Sequence, residues 1–224
     1  MKKISDLVLY KDHHIIAINK PSGLPSQRDQ KGEKNAHQML MAYAHRDLHV
    51  VHRLDQRVTG VLLFAKTVQA AAALQKNWDQ NLKLYLGIVP VTDLPSTGVM
   101  KHYLTYHQKS NMSQAHDVLI PGSDEAILKY RIIQHLDNFM VLLIELVTGR
   151  KHQIRAQLSA AGIPIRGDIK YGSKRTNADH SIDLHAYSLE FLHPTSGKKM
   201  KIVAPLPEGG LWEHVTATDF NRID

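Results

Sequence analysis

One stretch of the chain, His52-Arg53-Leu54-Asp55-Gln56-Arg57-Val58-Thr59-Gly60, sets a single carboxylate between two arginines, with a glycine returning the chain to an apolar run. A nearby arginine favours the charged form of a carboxyl group. An anionic carboxylate can attack as a nucleophile or take a proton as a base. Taken alone, the segment reads better as a surface salt bridge in a strand connection. A second stretch, Thr148-Gly149-Arg150-Lys151-His152-Gln153-Ile154-Arg155, gathers three permanent cations at the start of a helical pattern. Helix N-termini present free N–H groups and a positive dipole end, which suits phosphate. Arg155 lies about a turn inside and could grip a buried carboxylate bidentately. The ordinary reading of this stretch is a solvated basic helix face.

Other chemistries are excluded more firmly. The chain has no cysteine, which removes disulfides, thiolate nucleophiles and cysteine zinc sites. Its fifteen histidines include His45, His49 and His52 close together, yet no His-Glu-x-x-His pattern occurs, and scattered surface histidines explain them better. Phosphate-binding and dinucleotide-binding glycine loops are absent. No metal and no cofactor are expected. Lys20, in Asn19-Lys20-Pro21, reads as structural or phosphate-facing, since no Schiff-base setting surrounds it. Tyr85, in Lys83-Leu84-Tyr85, reads in isolation as a core or rim residue.

The 224 residues are 43% hydrophobic and 22% charged, a globular balance able to bury a proper core. No run of 18 apolar residues suggests a membrane span, and the N-terminus lacks the apolar stretch of a signal peptide. The expectation is a cytoplasmic monomer with no membrane association and no obligate protein partner. A net charge of +7 and a pI near 9.5 favour a polyanionic partner, weakly when taken alone.

The elements that must position these residues follow from periodicity and turn residues. Strands are predicted before and after a turn at residues 11–14, at 50–51, 61–65 and 82–89, and as pairs across 100–119 around Lys109-Ser110-Asn111. Hairpins are predicted turning at Asp137-Asn138 and at residues 194–197. Helices are predicted at 36–45, from a Thr67 cap through about residue 81, and at 151–161 ending at Gly162. Residues 27–35 read as a mobile polar loop. Strands outnumber helices and most are joined by short turns, so the fold class is α+β with a large, mostly antiparallel sheet. No repeat or long linker divides the chain, and residues 1–224 read as one catalytic domain.

Placed together, the segments resemble the RluA-type family of RNA pseudouridine synthases. His52-Arg53-Leu54-Asp55 with Gly60 and Ala65-Lys66-Thr67 is similar to the family's catalytic-loop motif, and Lys83-Leu84-Tyr85 to its Lys-x-Tyr motif. Thr148-Gly149-Arg150 with His152-Gln153-Ile154-Arg155 resembles a third, continuing through Pro164-Ile165 and Gly167-Asp168 to Tyr171-Gly172. Asn19-Lys20-Pro21-Ser22-Gly23-Leu24 resembles the opening segment, and Leu184-His185-Ala186 to His193-Pro194, then Ala204-Pro205-Leu206-Pro207, the closing ones. The resemblance spans about residues 7–207 in family order. Val58-Thr59 stands where Thr-Ser is usual, Lys151 where threonine is common and Gly87 where alanine is common. These departures bear on substrate choice more than on reaction type.

The resemblance implies a pseudouridine-synthase-like domain, a large mixed sheet flanked by helices, without the small N-terminal RNA-binding domain of some members. It implies Asp55 as the essential carboxylate, Tyr85 as the ring stacking on the extracted uracil, and Arg155 keeping Asp55 ionised and oriented. Arg53 would fill the gap left by the flipped base or hold phosphate, with Arg150, Lys151 and Lys20 as further RNA-binding residues. The substrate would be ribosomal or transfer RNA. The product is an isomer of the reactant, so no group donor or redox carrier is required. Two rivals stand beside this reading: an RNA N-glycosidase, which would need a second carboxylate about 5–9.5 Å away, and an RNA-binding or ribosome-assembly factor without turnover.

Overall fold

The computed structural model describes residues 3–28, 32–216 and 220–223. After a 3-10 turn (Ile4–Leu7), the chain forms β1 (Val8–Lys11), β2 (Ile15–Lys20), α1 (Ala36–Ala44), β3 (His49–Val50), β4 (Thr59–Ala65) and α2 (Val68–Lys76). It continues through β5 (Leu82–Pro90), β6 (Thr97–His107), β7 (Met112–His116), β8 (Asp124–His135), β9 (Phe139–Leu146), α3 (Gln153–Ala160), β10 (Leu184–Leu192) and β11 (Lys199–Val203). The class is α+β, as the pattern of short turns predicts. The chain divides into two compact units, Met1–Leu82 with His185–Pro207, and Lys83–Leu184 with Glu208–Asp224.

In the first unit β1, β2 and β4 are antiparallel neighbours, β3 adds to β4, and β11 adds to β10. The register of β2 on β4 runs from Ile15 opposite Ala65 to Lys20 opposite Gly60. Ile15, Ile16, Ala17 and Ile18 are all fully buried, which is why this strand reads as a continuous apolar run and not an alternating one. The core packs Ala70, Ala71 and Leu74 of α2 against Ile15, Val61, Leu63, Leu189, Phe191 and Ile202. β10 meets β4 in parallel, His185 opposite Thr59 and Ala186 opposite Gly60. A Cβ built at Gly60, where φ is +110°, would lie 2.2 Å from the Ala186 carbonyl oxygen, so only glycine lets the two backbones approach this closely.

Thr67 caps α2 as expected, its hydroxyl accepting the Ala70 N–H at 3.1 Å. The helix stops at Lys76, not near residue 81: Asn77 leaves helical geometry, and a 3-10 turn (Trp78–Gln80) stacks the Trp78 indole on His52, ring centroids 4.7 Å apart. Of the polar segment 27–35, residues 29–31 lie outside the described residues. Its last residue, Asn35, is buried and caps α1 through a bond from the Gln38 N–H.

The second unit orders its antiparallel strands β5-β9-β8-β6-β7. Leu84, Leu86 and Ile88 of β5 are fully buried, leaving Lys83, Tyr85 and Gly87 on the opposite face by the two-residue period of a strand. α3 lies against this sheet, with Ala156 packed among Leu104, Ala126 and Tyr171. Buried Gln157 donates to the carbonyls of Met100 and Ala126 at 3.0 and 3.1 Å. The helix begins two residues later than its pattern suggests, because His152 takes a left-handed conformation (φ +53°) that no helical turn accommodates.

Candidate active site

Asp55 sits half-buried in the connection from β3 to β4, between two anchors that face inward, Leu54 and Val58. A turn closes it: the Val58 N–H donates to the Asp55 carbonyl at 3.1 Å. Arg53 and Arg57 stay exposed. The loop is held from behind by the segment that follows β2. Ser26 donates to the Leu54 carbonyl at 2.7 Å and accepts the Leu54 N–H at 3.0 Å, and the Gly23 N–H donates to the Gln56 carbonyl at 2.9 Å. At the centre is Lys20, wholly buried, its ammonium donating to the carbonyls of Pro21, Leu24 and Gln56 at 2.9, 3.0 and 3.0 Å. Burial pushes the Lys20 pKa down to about 7, against an opposing pull from the Asp55 charge. Of the two roles expected for Lys20, structural or phosphate-facing, this geometry supports the structural one: three carbonyls already occupy its three donors.

The strand leaving the loop is fixed as well. The Thr59 hydroxyl lies 2.8 Å from Nδ1 of His185, a fully buried imidazole whose pKa burial lowers to about 4. His52, which opens the motif, accepts the Leu63 N–H at 3.0 Å through Nε2.

In the second unit the basic stretch at 150–155 folds around Gln153. Its side-chain oxygen accepts from Thr148 Oγ1 and from the Arg150 N–H, both at 2.9 Å, and its amide nitrogen donates to the Ile127 carbonyl at 3.1 Å. Arg150 and Lys151 are exposed, the first donating to the Glu125 carbonyl at 3.1 Å, the second lying 3.9 Å from the centroid of the Tyr106 ring. Arg155 is the buried member. Its Nε and Nη2 donate to the two carboxylate oxygens of Asp168 at 2.7 and 2.9 Å, and its guanidinium lies 4.7 Å from the Tyr171 ring centroid. The Tyr171 hydroxyl in turn accepts the Ser113 N–H at 2.8 Å and lies 2.9 Å from His152 Nδ1. Lys170 adds to the positive field; burial lowers its pKa, and the charges of Arg155 and Lys151 push the same way.

Lys20, Arg53 and Asp55 are therefore gathered at one end of the first unit, and Arg150, Lys151 and Arg155 at the start of α3 in the second. Tyr85 lies half-buried in β5, opposite Ile144. Asp168 was given no role by the residue pattern, although it falls in the Gly167-Asp168 segment; a lone aspartate 13 positions beyond an arginine carries no local signal of pairing. Two of the departures, Val58-Thr59 and Gly87, also find their places. Val58 is buried, Thr59 bonds His185, and a methyl at Gly87 would meet Ile144 Cδ1 at 3.3 Å. Among the described residues no group of three or more histidine, aspartate or glutamate side chains is arranged to hold a metal ion, and no helix is long and apolar enough to cross a membrane.

Residues 14–160 match the RNA pseudouridylate synthase family. Over 212 residues the chain is 32% identical to the ribosomal large subunit pseudouridine synthase C of Rickettsia typhi, covering 92% of this chain and 70% of that protein. Over 227 residues it is 34% identical to the ribosomal large subunit pseudouridine synthase D of Xylella fastidiosa, covering 90% and 66%. In fold it is similar to the solved human RNA pseudouridylate synthase domain containing 4, with a TM-score of 0.72 over 91% of this chain and 90% of that one, at 23% identity. The matched span contains the Asp55 loop, the Lys83-Leu84-Tyr85 strand and the start of α3, and the chain belongs to the RNA pseudouridylate synthase family.

Proposed function

We propose that this pseudouridine synthase isomerises specific uridines of large-subunit ribosomal RNA in the cytoplasm, with Asp55 as the essential carboxylate and residues 1–224 serving as one catalytic domain. The observation that carries the substrate assignment is identity of 32–34% over at least 90% of this chain to proteins named as ribosomal large subunit synthases. The reaction breaks the N-glycosidic bond of uridine, turns the base in place and rejoins it to the sugar through carbon. A half-buried carboxylate on a loop clamped from behind supports this chemistry, because the carboxylate, as nucleophile or as base, must hold its place while the uracil turns. Tyr85 would stack on the extracted uracil, a contact worth roughly 1–3 kcal/mol. Arg155, fixed by Asp168, would supply positive charge to the reacting centre. Arg53 would occupy the gap left by the flipped base, and Arg150 and Lys151 would meet phosphates. Water must be kept from the opened sugar, since its capture would give hydrolysis.

Unmodified large-subunit ribosomal RNA incubated with the protein should yield an isobaric nucleoside and no free uracil by mass spectrometry. Free uracil would instead identify an N-glycosidase, and RNA binding without either product an assembly factor. Asp55→Asn should abolish turnover with folding and RNA affinity nearly unchanged, because phosphate contacts dominate binding. Residual isomerisation above about a hundredth of wild type would remove Asp55 from this role.

A further inference from the structure

At the end of β2 and β4 remote from Lys20 and Gly60, a cleft of about 490 Å³ opens between Lys11, Asp12, His13, Ile16, Tyr43 and Lys66. Its cations are turned toward neutral partners. Lys11 donates to the Tyr43 hydroxyl at 2.9 Å, Lys66 to the main-chain carbonyl of Asp12, and Arg46 on the rim to the Lys66 carbonyl at 2.8 Å. Among the described residues none of these three cations forms an ion pair. The one carboxylate lining the cleft is already committed: Asp12 accepts the N–H groups of His14 and Ile15, both at 2.8 Å, the Tyr10 hydroxyl at 3.1 Å and His193 Nε2 at 2.8 Å. The Lys66 ammonium is pushed down first by burial; Asp12 opposes this, and the charges of Arg46 and Lys11 add to it. Like charges crowded round a cleft oppose one another and gain most when an anion enters.

We infer that this cleft is a second phosphate site, holding a backbone phosphodiester of the RNA substrate away from the modified uridine. The inference rests on the proposed action on RNA and extends it to a further part of the surface. Gly60 and Ala65 are five residue steps apart along β4, so at about 3.3 Å per step the cleft lies about 17 Å from the base of the Asp55 loop. That span suits flanking nucleotides and not the target itself. Lys11, His13 and Arg46 are exposed, which lets a phosphate within a longer chain enter with its neighbours still attached.

The test compares wild type with a Lys11→Gln/Arg46→Gln double variant, both sites exposed and outside the Asp55 loop. RNA affinity is titrated at several salt concentrations on unmodified large-subunit ribosomal RNA. The double variant should bind about fivefold more weakly at 0.1 M salt, and its slope of log K against log salt should be shallower by about 1. Its single-turnover rate at saturating enzyme should equal that of wild type. Lys66→Gln, checked for folding by urea unfolding, should show the same binding loss. An unchanged affinity and slope would overturn the inference, as would a slowed rate at saturation. Inorganic phosphate provides the remaining arm: if it perturbs the NMR signals of Lys66 and Tyr43 at millimolar concentration and saturating RNA does not displace it, the cleft serves a small phosphate and the RNA assignment fails. Should RNA bind without forming pseudouridine, the functional reading falls while the slope comparison still decides the cleft.

Discussion

At Lys20 the folded chain holds an ammonium group where water cannot reach it, and three carbonyl oxygens replace the lost solvation. Those carbonyls belong to the segment after β2 and to the loop carrying Asp55, so a single side chain ties the two segments together. The pKa of about 7 makes this arrangement sensitive to pH. Between about 7 and the ordinary lysine value of 10.5, the unfolded chain binds a proton that the folded chain has released. Stability from this group therefore rises with pH across that window and is flat below it. Urea midpoints measured at pH 7 and pH 9.5 should rise more for wild type than for Lys20→Met. The same pH dependence in both proteins would mean that Lys20 keeps an ordinary pKa. Asn19-Lys20-Pro21 leaves a structural and a phosphate-facing role both open, and the Asp55 loop taken alone reads as a surface salt bridge; the packing of the loop against Lys20 is what sets the burial.

At the scale of elements, the parallel pairing of β4 with β10 fixes where the loop ends. Gly60 permits it, and Thr59 marks it by reaching His185 on the neighbouring strand. The substitution Gly60→Ala should cost about 3 kcal/mol or more in urea unfolding, combining a positive φ with a backbone clash at 2.2 Å. A loss under about 1 kcal/mol would show that the strands separate easily and that the loop is not anchored there. The hairpins of β6–β7, β8–β9 and β10–β11 were legible from their turn residues, because such pairings are local. The β4–β10 contact joins residues more than a hundred positions apart, and its only sequence trace is a glycine that many loops share. The shortened start of α3 has a similar cause: nothing in Lys151-His152 breaks a helix locally, but in the fold His152 takes a left-handed backbone with its Nδ1 2.9 Å from the Tyr171 hydroxyl, while the Gln153 side chain accepts the Arg150 N–H.

For the molecule as a whole, a net charge of +7 makes RNA affinity an electrostatic matter, separable from chemistry. Arg150 is exposed at the start of α3, while Tyr85 is half-buried in β5. Arg150→Ala should weaken binding to many RNAs and flatten the salt dependence, each phosphate contact contributing roughly −0.7 to −0.9 to the slope. Tyr85→Leu should leave that slope alone, since stacking releases no counterions, and should instead slow single turnovers at saturating enzyme. A changed slope with a normal rate for Tyr85→Leu would displace the tyrosine from the base-stacking role.

What the sequence determined by itself was the α+β class, most element boundaries to within a few residues, and the family, through motifs whose order survives along the chain. Those properties are written in neighbouring residues: periodicity, caps and turn chemistry act over a handful of positions. The tertiary structure alone decided that Lys20 is interior, that the carboxylate Arg155 grips bidentately is Asp168, and that Asp12 is hydrogen-bonded by His193, 181 positions away. The same packing left Lys11, Arg46 and Lys66 without a carboxylate of their own among the described residues. Pairing and burial depend on which surfaces the folded backbone brings into contact, and the energy of a charge is set by the solvent and partners it meets there.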